Sequence, residues 1–480
     1  MPRPLGVVFY FRNIVQDDGL LCNGVEHIMK TSFAIWTTTL AFALFMFVGM
    51  GVWLSYDPAA DLIKDVPGMS GKPEKTTSGD ADVVQFGEHF LRCASLETDP
   101  ASGSWPHYLG AGFDNVYREN VSLNTDWGNA GPEVAWSVEL GEGYAGPAVK
   151  NGRVYVMDYD ESQRADTLRC FSLSSGKELW RRWYNVDVKR NHGMSRTVPA
   201  VTDNHVVTIG PKCHVMCTEA KSGDFKWGLD LVKDFGAEVP MWYTGQNPLI
   251  EDGVAVIAPA GEHLMMGVAC ETGEIQWQTP NPSDWNMSHS SIIPMKIRGR
   301  RMYVYAADGG VAGVAADGSN IGELLWTTQA WNPSLMIPSP IRLSDSRILL
   351  TSGRSAGAVI LEIEKEDDNH FNANVVEEWN AKSGISSEQQ MPVLYQDHLF
   401  TVMAKDAGPL RDQLVRTSVD NLRSHDWKSG KMNRFGLGPY LIADEKLWML
   451  SSEGVLTVID VSAERYKELA KAEIFEDAHE

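Results

Sequence analysis

A tryptophan recurs at nearly constant spacing through most of this chain. The series consists of Trp136, Trp180, Trp227, Trp277, Trp326, Trp379 and Trp427. Neighbouring members are separated by 44 to 53 residues, and a further step of 48 residues reaches another aromatic residue, Phe475. A strand-rich repeat of about 40 to 50 residues without helical periodicity is typical of a β-propeller, in which each repeat forms one four-stranded blade. The spacing therefore predicts an all-β fold.

Each repeat contains the same local features in the same order. In the first repeat, a turn at Asn151-Gly152 leads into an apolar run, and a second apolar run at 168–173 precedes a short strand that ends at Trp180. A glycine stands four residues before the tryptophan in four repeats, as Gly176, Gly223, Gly273 and Gly322. Glycine suits a hairpin position that needs positive φ. We expect each tryptophan to lie on the outermost strand and to pack against the next blade.

The repeats predict seven complete blades. Their bounds are 145–185, 198–231, 247–280, 290–329, 338–381, 391–428 and 438–476. An orphan outer strand centred on Trp136 is predicted over 134–138, but three inner strands do not precede it. In a closed propeller such a strand completes the last blade, whose inner strands come from the C-terminus. We therefore expect those strands beyond Glu480 and expect the reading frame to be truncated. Within the fifth blade, the acidic insertion at 364–374 is expected to be disordered.

The N-terminal region predicts a membrane anchor. Residues 31–56 carry no charge, and 26 residues are enough for a helix to cross a bilayer core of about 30 Å. Lys30 precedes this stretch and Asp57 follows it, which places the large domain outside the cytoplasm by the positive-inside tendency. An uncleaved anchor is favoured, and a cleaved signal peptide is the alternative. Residues 1–30 are interpreted as a tail, with Met29 as the more plausible start.

Residues 57–130 are predicted to be a linker followed by an aromatic and polar segment. The linker is rich in proline, glycine, serine and threonine, and 83–96 is the one stretch in it that could form an amphipathic helix. The segment 105–127 has no strand or helix periodicity. We expect it to lie across the propeller rather than to form a blade. The propeller itself is assigned to 131–480.

Charge and cysteine content exclude several classes of function. The chain has 42 basic and 63 acidic residues, a net charge of −21, so duplex nucleic acid is an unsuitable partner. Its six cysteines form no CxxC or CxxCH motif, which gives no indication of structural zinc or covalent haem. Cys213 and Cys217 are predicted to be buried small hydrophobes. Asp158, Asp160 and Glu161 resemble a weak calcium cluster, but a solvated loop is the favoured interpretation, and no metal site is predicted.

The candidate binding residues lie in the segments that connect one blade to the next. We expect these segments to open on one face around the central channel. Their candidate residues are His192, Arg196, Trp242, Gln246, His289, Gln389, Gln390 and Arg434. Arginine offers a planar fork for carboxylates, histidine can titrate near neutrality, and Trp242 could act as a stacking floor. A polar channel lining without a ligand is the alternative.

No catalytic residue is predicted. The chain contains no Ser-His-Asp order, glycine-rich phosphate loop or HExxH motif. Lys405 and Asp406 follow an apolar run and could reach the channel, but an ion pair within a turn is the favoured interpretation.

The repeats resemble the PQQ-like (pyrroloquinoline quinone-like) β-propeller superfamily, whose blades carry a tryptophan-docking motif. The resemblance covers 131–476 and is strongest at 176–180 (GKELW) and 272–277 (TGEIQW). Residues 105–108 and 191–196 are similar to segments of membrane-anchored bacterial PQQ-binding-like repeat proteins. That resemblance implies a ring of eight blades, a single-pass inner-membrane anchor and a propeller in the periplasm.

The resemblance implies one of two functions. One is a PQQ-dependent alcohol or sugar dehydrogenase, with PQQ and Ca²⁺ in the central funnel. The other is a binding or assembly platform without a cofactor, which would take an envelope protein or a small anionic ligand. Because the chain has neither an adjacent cysteine pair nor a haem motif, we favour the non-catalytic platform and expect no cofactor.

Overall fold

The computed structural model describes residues 40, 43–44, 46–48, 50, 84–97, 103–128, 131–190 and 194–475. The chain divides into two compact units, Met1–Asp65 and Val66–Glu480. The described residues of the first unit are helical and exposed. Across the described ranges, no helix is both long and apolar enough to span a bilayer. The predicted anchor at 31–56 falls largely outside these ranges and stays a prediction.

Seven antiparallel sheets follow one another along the second unit; six have four strands and the first has five, and four strands of each sheet lie side by side in the order of the sequence. Blade 1 contains β2 (Ala148–Lys150), β3 (Arg153–Asp160), β4 (Ala165–Ser172) and β5 (Glu178–Asn185); blade 2 contains β6 (Ala200–Val201), β7 (His205–Ile209), β8 (His214–Glu219) and β9 (Phe225–Asp230); blade 3 contains β10 (Leu249–Glu251), β11 (Val254–Ile257), β12 (His263–Ala269) and β13 (Ile275–Pro280). Blade 4 contains β14 (Ile293–Ile297), β15 (Arg300–Ala307), β16 (Gly310–Ala315) and β17 (Leu324–Thr328); blade 5 contains β18 (Ile341–Arg342), β19 (Arg347–Ser352), β20 (Gly357–Lys365) and β21 (Phe371–Trp379). Blade 6 contains β22 (Val393–Tyr395), β23 (His398–Val402), β24 (Leu414–Ser418) and β25 (Trp427–Lys428); blade 7 contains β26 (Tyr440–Ala443), β27 (Lys446–Leu450), β28 (Val455–Asp460) and β29 (Glu468–Glu473). The all-β prediction and the seven complete blades are confirmed, and the arrangement is that of a β-propeller.

The predicted helix over 83–96 is wrong. Residues His89–Arg92 form β1, which pairs antiparallel with β5 as a fifth strand of the first sheet. The outer edge of β5 offers unpaired backbone groups, and Phe90 packs against the fully buried Trp180. Tertiary pairing therefore overrides the local helical pattern. A short helix, α1 (Leu231–Phe235), and a 3₁₀ turn at Gly408–Leu410 lie in the loops.

The tryptophan docking predicted from the repeat is present between the first blades. The Trp180 indole nitrogen donates a hydrogen bond to the Lys221 carbonyl oxygen of blade 2 at 3.1 Å, and a Cβ on Gly223 would lie 2.6 Å from its ring. Trp136 makes the same contacts with blade 1, at Leu173 and Gly176. The same relation joins Trp227 to Cys270 and Gly273, and Trp277 to Gly322. These rings occupy equivalent places, as the spacing predicted.

In blades 1 to 5, a small residue lies opposite the tryptophan on the neighbouring strand of the same blade, whereas Arg416 lies opposite Trp427 in blade 6. These cross-strand partners are Cys170, Cys217, Gly267, Gly313 and Ala358, opposite Trp180, Trp227, Trp277, Trp326 and Trp379. At Gly313 an added Cβ would approach the indole nitrogen of Trp326 to 2.1 Å. The indole ring therefore packs over a position of its own sheet where the side chain is small or absent. The tryptophan series alone did not reveal this second positional rule.

Equivalent positions of successive blades also meet near the inner strands. The Val198 amide donates to the Asn247 side-chain oxygen at 2.6 Å, and the Asn247 amide donates to the Ser291 hydroxyl at 3.0 Å. The Ser291 amide continues the series by donating to the Ser339 hydroxyl at 3.0 Å. Each of these residues stands just before the first strand of its blade. The blades are therefore arranged in sequence around one axis.

Residues 103–128, the cross-face segment, lie across the propeller as predicted. Trp105 forms a bridge with Val149 of blade 1, and Val116 forms one with Ile442 of blade 7. Between these points, Leu109 is buried in the apolar cluster shared by blades 4 to 6. The segment therefore reaches from the first blade through the middle of the propeller to the last.

The same chain continues along the last and first blades. Gly131 lies against Ala472 of blade 7, and Trp136 docks on blade 1. Contrary to prediction, 134–138 form no strand. A strand requires a neighbour to pair with, and none of the described strands lies beside these residues in the sheet order. Phe475, which the spacing equated with the tryptophans, is 56% exposed.

Candidate functional site

The inter-blade connectors and the loops between the second and third strands of each blade lie on one face, called here the connector face. In the connector to blade 3, the Thr244 amide donates to the carbonyl of Pro211, which lies in such a loop of blade 2, at 3.0 Å. In the connector to blade 6, the Ser386 carbonyl accepts from the amide of Ala404, in the corresponding loop, at 3.0 Å. This is the face on which the candidate residues were predicted.

Four side chains meet on the connector face and form the funnel cluster: Arg196, Trp242, His289 and Arg354. The ring centroids of Trp242 and His289 are 6.3 Å apart, and the Arg354 guanidinium carbon lies 4.8 Å from the Trp242 ring centroid. The charge of Arg196 acts on His289. Trp242 precedes blade 3 and Arg354 belongs to blade 5, so two complete blades lie between them in the sequence. Their contact therefore shows that both side chains project inward over the channel.

The backbone holds two of these side chains in a restricted conformation. Trp242 and the following Tyr243 have φ of 64° and 69°, the left-handed region that bulky residues rarely adopt. Tyr243 is buried, and its hydroxyl bonds both the amide and the carbonyl of Lys189, at 2.8 and 2.9 Å. Arg354 has φ of 51°, and the amide of the following Ser355 donates to the Asp406 carboxylate. Such positions persist only where their surroundings enforce them, which fits a preorganised site.

The side chains of the funnel cluster carry a net positive charge. Burial and, to a smaller extent, the nearby Arg196 charge lower the pKa of His289 to about 4, against the opposing effect of a hydrogen bond with the Met241 backbone. Burial also lowers the pKa of Arg196, to about 10, so this side chain stays protonated at neutral pH. The expectation that His289 titrates near neutrality is therefore wrong. At pH 7 the cluster presents two guanidinium groups, a neutral imidazole and an indole face.

The other predicted residues have different surroundings. Gln246 is fully buried, and its amide group exchanges two hydrogen bonds of 2.9 Å with the Ala258 backbone. Gln390 donates to the carbonyl oxygens of Gly436 and Gly438 at 3.1 Å, which ties its connector to blade 7. Both side chains are therefore held by hydrogen bonds to backbone groups.

Two further candidates are exposed. Gln389 lies on the surface, and Arg434 donates to the carbonyl oxygens of Lys431 and Arg411. Their role in ligand binding stays a prediction. His192 lies outside the described residues. The structure therefore brings together Arg196, Trp242 and His289 from the predicted set.

Sequence reasoning missed Arg354. It belongs to the loop between β19 and β20 rather than to a connector, so the repeat pattern did not single it out. Its loop is positioned by Asp406, the residue predicted to form an ion pair within its own turn. The backbone amide of Lys405 donates to the Glu388 carboxylate at 3.2 Å, and the ion pair within the turn stays a prediction. The sequence signal that was available is the glycine-flanked turn 353–357.

A cavity of about 550 Å³ lies beside blade 1 and includes Asp158 and Arg169 in its lining. Asp158 was predicted to be in a solvated loop, but it is buried and pairs with Arg169 at 3.0 Å. Arg169 also pairs with Glu178 at 3.0 Å. Asp160 is used within its own turn, where it accepts from the Ser162 amide at 2.9 Å. These charged groups pair with one another or with nearby backbone groups. The cavity therefore does not provide a second cationic site.

The funnel cluster does not fit a calcium-bound quinone. Ca²⁺ requires six to eight oxygen ligands, whereas this cluster offers two guanidinium groups that repel a cation. Among the residues that the structure describes, no three histidine, cysteine, aspartate or glutamate side chains are placed to hold a metal ion. The side chains of the cluster thus offer guanidinium groups, which suit an anion, and no carboxylate ligand for a cation.

Comparison with known proteins finds several solved structures to which the chain is similar. The BamB structure from Moraxella catarrhalis is 13% identical, covers 64% of this chain and 79% of its own, and has a TM-score of 0.41. The quinohemoprotein alcohol dehydrogenase from Comamonas testosteroni is 11% identical, with coverages of 79% and 74% and a TM-score of 0.39. The dihydro-heme d1 dehydrogenase NirN in complex with DHE is 13% identical, with coverages of 68% and 66% and a TM-score of 0.44. No curated protein matches the chain.

The family assignment comes from the repeats themselves. The sequence model described as outer membrane protein assembly factor BamB matches residues 164–421, more than half of the chain. The matched range begins within blade 1 and ends in blade 6, so it includes the blades whose loops supply the funnel cluster. The chain therefore belongs to the family of PQQ-like β-propeller repeat proteins described as outer membrane protein assembly factor BamB.

Proposed function

We propose that this protein is a non-catalytic binding platform that captures a carboxylate-bearing ligand or protein segment at the funnel cluster. The observation that supports this function most strongly is the meeting of Arg354 with Trp242 across separate blades, beside His289, on which the charge of Arg196 acts. Guanidinium groups bind carboxylates through paired, charge-assisted hydrogen bonds. The description of the family as an assembly factor supports a protein as the natural source of that carboxylate.

The geometry suits a planar or extended acidic group. The indole face of Trp242 provides an apolar surface, and the Arg354 guanidinium already lies over it at 4.8 Å. His289, neutral at pH 7, can exchange hydrogen bonds with a ligand without adding charge. Because the overall net charge is −21, this cationic site distinguishes one place on an otherwise acidic molecule.

The test is calorimetric titration with benzene-1,3,5-tricarboxylate, a planar anionic probe. We expect saturable binding that Arg354→Ala or Arg196→Ala weakens by about tenfold, equivalent to about 1.4 kcal/mol. Arg465→Ala is the matched control, because it removes an exposed arginine in the loop between β28 and β29 that belongs neither to the cluster nor to the candidate residues. Equal losses in all three variants would indicate general charge attraction and contradict the proposal.

A second measurement separates the platform from the enzyme. The protein is incubated with PQQ and Ca²⁺ and assayed for dye-linked oxidation of alcohols and sugars. The platform predicts no turnover above that of a sample without protein. Turnover that requires both additions would replace the proposed function with a quinone-dependent dehydrogenase.

We also propose that residues 31–56 anchor the protein in the inner membrane with the propeller in the periplasm. The support is the uncharged stretch between Lys30 and Asp57. A phosphatase active only outside the cytoplasm, fused after Glu480, should be active in cells, and the fusion should sediment with membranes. An inactive fusion of normal abundance would argue for the opposite topology.

A further inference from the structure

Two cysteines from neighbouring blades meet at the docking site of one tryptophan. Cys217, on β8, is the cross-strand partner of Trp227, whose indole nitrogen donates to the Cys270 carbonyl of blade 3 at 2.8 Å. The Cys217 sulfur lies 3.4 Å from the same carbonyl oxygen. Both cysteines are fully buried, and both are free thiols. One thiol from blade 2 is thus held against one thiol-bearing residue from blade 3.

The two side chains also interact with each other. Each thiol acts on the ionisation of the other: Cys217 lowers the pKa of Cys270, and Cys270 raises the pKa of Cys217.

We propose that Cys217 and Cys270 form a disulfide that joins blades 2 and 3 when the chain folds in the presence of a disulfide oxidant. The two residues are 53 positions apart, so the bond would close a full blade repeat. Disulfides persist in compartments outside the cytoplasm, and formation in the cell rests on the proposed location. The chemistry itself can be tested without that assumption.

The reaction balances as thiol–disulfide exchange. The Cys270 thiolate attacks one sulfur of the oxidant, breaking its S–S bond and releasing one reduced thiol. The Cys217 thiolate then attacks the Cys270 sulfur of the mixed disulfide, forming the inter-blade bond and releasing the second thiol. The two protein thiols lose their protons to solvent, and the oxidant gains both electrons. Since both cysteines are buried in the fold, the exchange occurs before blades 2 and 3 close on each other.

The repeat supplies an internal control one blade earlier. Cys170 lies opposite Trp180 as Cys217 lies opposite Trp227. The residue equivalent to Cys270 there is Ala220, which also stands three positions before the docking glycine. The junction between blades 1 and 2 therefore has one thiol where the next junction has two. Ala220→Cys would place a second thiol at this junction.

The experiment is refolding of the full chain in a glutathione redox buffer, followed by alkylation in denaturant and non-reducing peptide mapping. We expect a cross-linked peptide joining Cys217 to Cys270, and its retention in Cys170→Ala. Cys217→Ala should leave Cys270 alkylated, and Ala220→Cys should add a cross-link to Cys170. Full alkylation of Cys217 and Cys270 in the refolded wild type would overturn the proposal, as would their linkage to other cysteines such as the exposed Cys93.

A stability measurement checks that the bond forms within the native fold. Reductant should lower the thermal midpoint of the refolded wild type and leave that of Cys217→Ala unchanged. Equal shifts in both proteins would contradict an effect of this pair. If Cys217→Ala does not fold, the peptide map of the wild type alone determines whether Cys217 and Cys270 are cross-linked.

Discussion

At the scale of single residues, Asp166 shows how the fold controls a buried charge. One carboxylate oxygen accepts from the Ser195 hydroxyl at 2.5 Å, and the other accepts from the Tyr184 hydroxyl at 2.6 Å. The residue is fully buried. Burial raises its pKa to about 6 despite these hydrogen bonds. The native protein therefore binds a proton at Asp166 more tightly than the unfolded chain does.

This difference predicts a pH dependence of stability. The unfolded carboxyl has a pKa of about 3.9, so the contribution of Asp166 is fully present below about pH 4 and is lost as pH rises through about 6. A shift of about two pKa units corresponds to roughly 2–3 kcal/mol. Urea unfolding from pH 4 to 7 should show that the stability of wild type relative to Asp166→Asn declines across this window. Parallel curves for the two proteins would contradict the prediction.

The lowered pKa of His289 makes a second residue-scale prediction. Because this pKa is about 4, His289 carries no charge between pH 6 and 8, and affinity for the tricarboxylate probe should be constant there. As pH approaches the lowered value the carboxylates of the probe also lose charge, so protonation of His289 should increase the affinity of the wild type only relative to that of His289→Gln. His289→Gln should leave the affinity at pH 7 within about twofold of the wild type. An affinity that falls between pH 6 and 7 in the wild type alone would show that His289 titrates near its ordinary value.

At the scale of elements, the docking tryptophans differ in how much they stabilise the blades. Trp180 is fully buried, donates a hydrogen bond to Lys221 and packs against Tyr155. Trp277 occupies the equivalent place but is only partly buried, and its indole nitrogen has no hydrogen-bond partner. The two residues therefore form a matched pair, alike in sequence context and different in environment.

We expect Trp180→Ala to lower the free energy of unfolding by about 3–5 kcal/mol, the usual cost of truncating a buried aromatic residue. Trp277→Ala should cost less than half as much, because less surface returns to water and no hydrogen bond is lost. Equilibrium unfolding in urea measures both. Equal losses would mean that position in the repeat, rather than burial, determines the contribution of a tryptophan.

Element bounds were predictable where the repeat is regular. The fourth strand of blade 3 ends at Pro280, the predicted limit of that blade. Prediction failed where pairing partners decide the structure. The acidic stretch 364–374 was expected to be disordered, but β20 and β21 continue to Lys365 and from Phe371, because each strand pairs with the other along its length. Residues 134–138 show the converse, since a strand-like sequence without a partner forms no ladder.

At the scale of the whole molecule, the sequence predicted the arrangement of blades but only part of the site. The connectors carrying Arg196, Trp242 and His289 were identifiable because they recur once per repeat. Arg354 was not, since its position depends on how far apart blades 3 and 5 lie across the channel. That distance is set by packing around the axis, which a linear spacing does not contain. The Cys217 and Cys270 pair was missed for the same reason.

The cross-face segment has a role at this scale, because it contacts both the first and the last blade. Val116 is 5% exposed, bridges Ile442 and packs in the apolar cluster of blades 6 and 7. Val116→Asp would bury an unpaired carboxylate, and we expect it to cost more than about 3 kcal/mol. Val134→Asp makes the same change at a side chain that is 68% exposed, and should cost less than about 0.5 kcal/mol.

Hydrogen exchange distinguishes a local opening from general destabilisation of the propeller. If the segment ties blade 7 to blade 1, Val116→Asp should reduce amide protection first in β26–β29 and at β2, which Trp105 bridges. Protection in β10–β17, the strands of blades 3 and 4, should be retained, because those blades share a buried cluster with blade 2 that the substitution does not touch. A uniform loss of protection across all blades would show that the seven sheets open as one unit, and that the cross-face segment is no more important to the first and last blades than to the others.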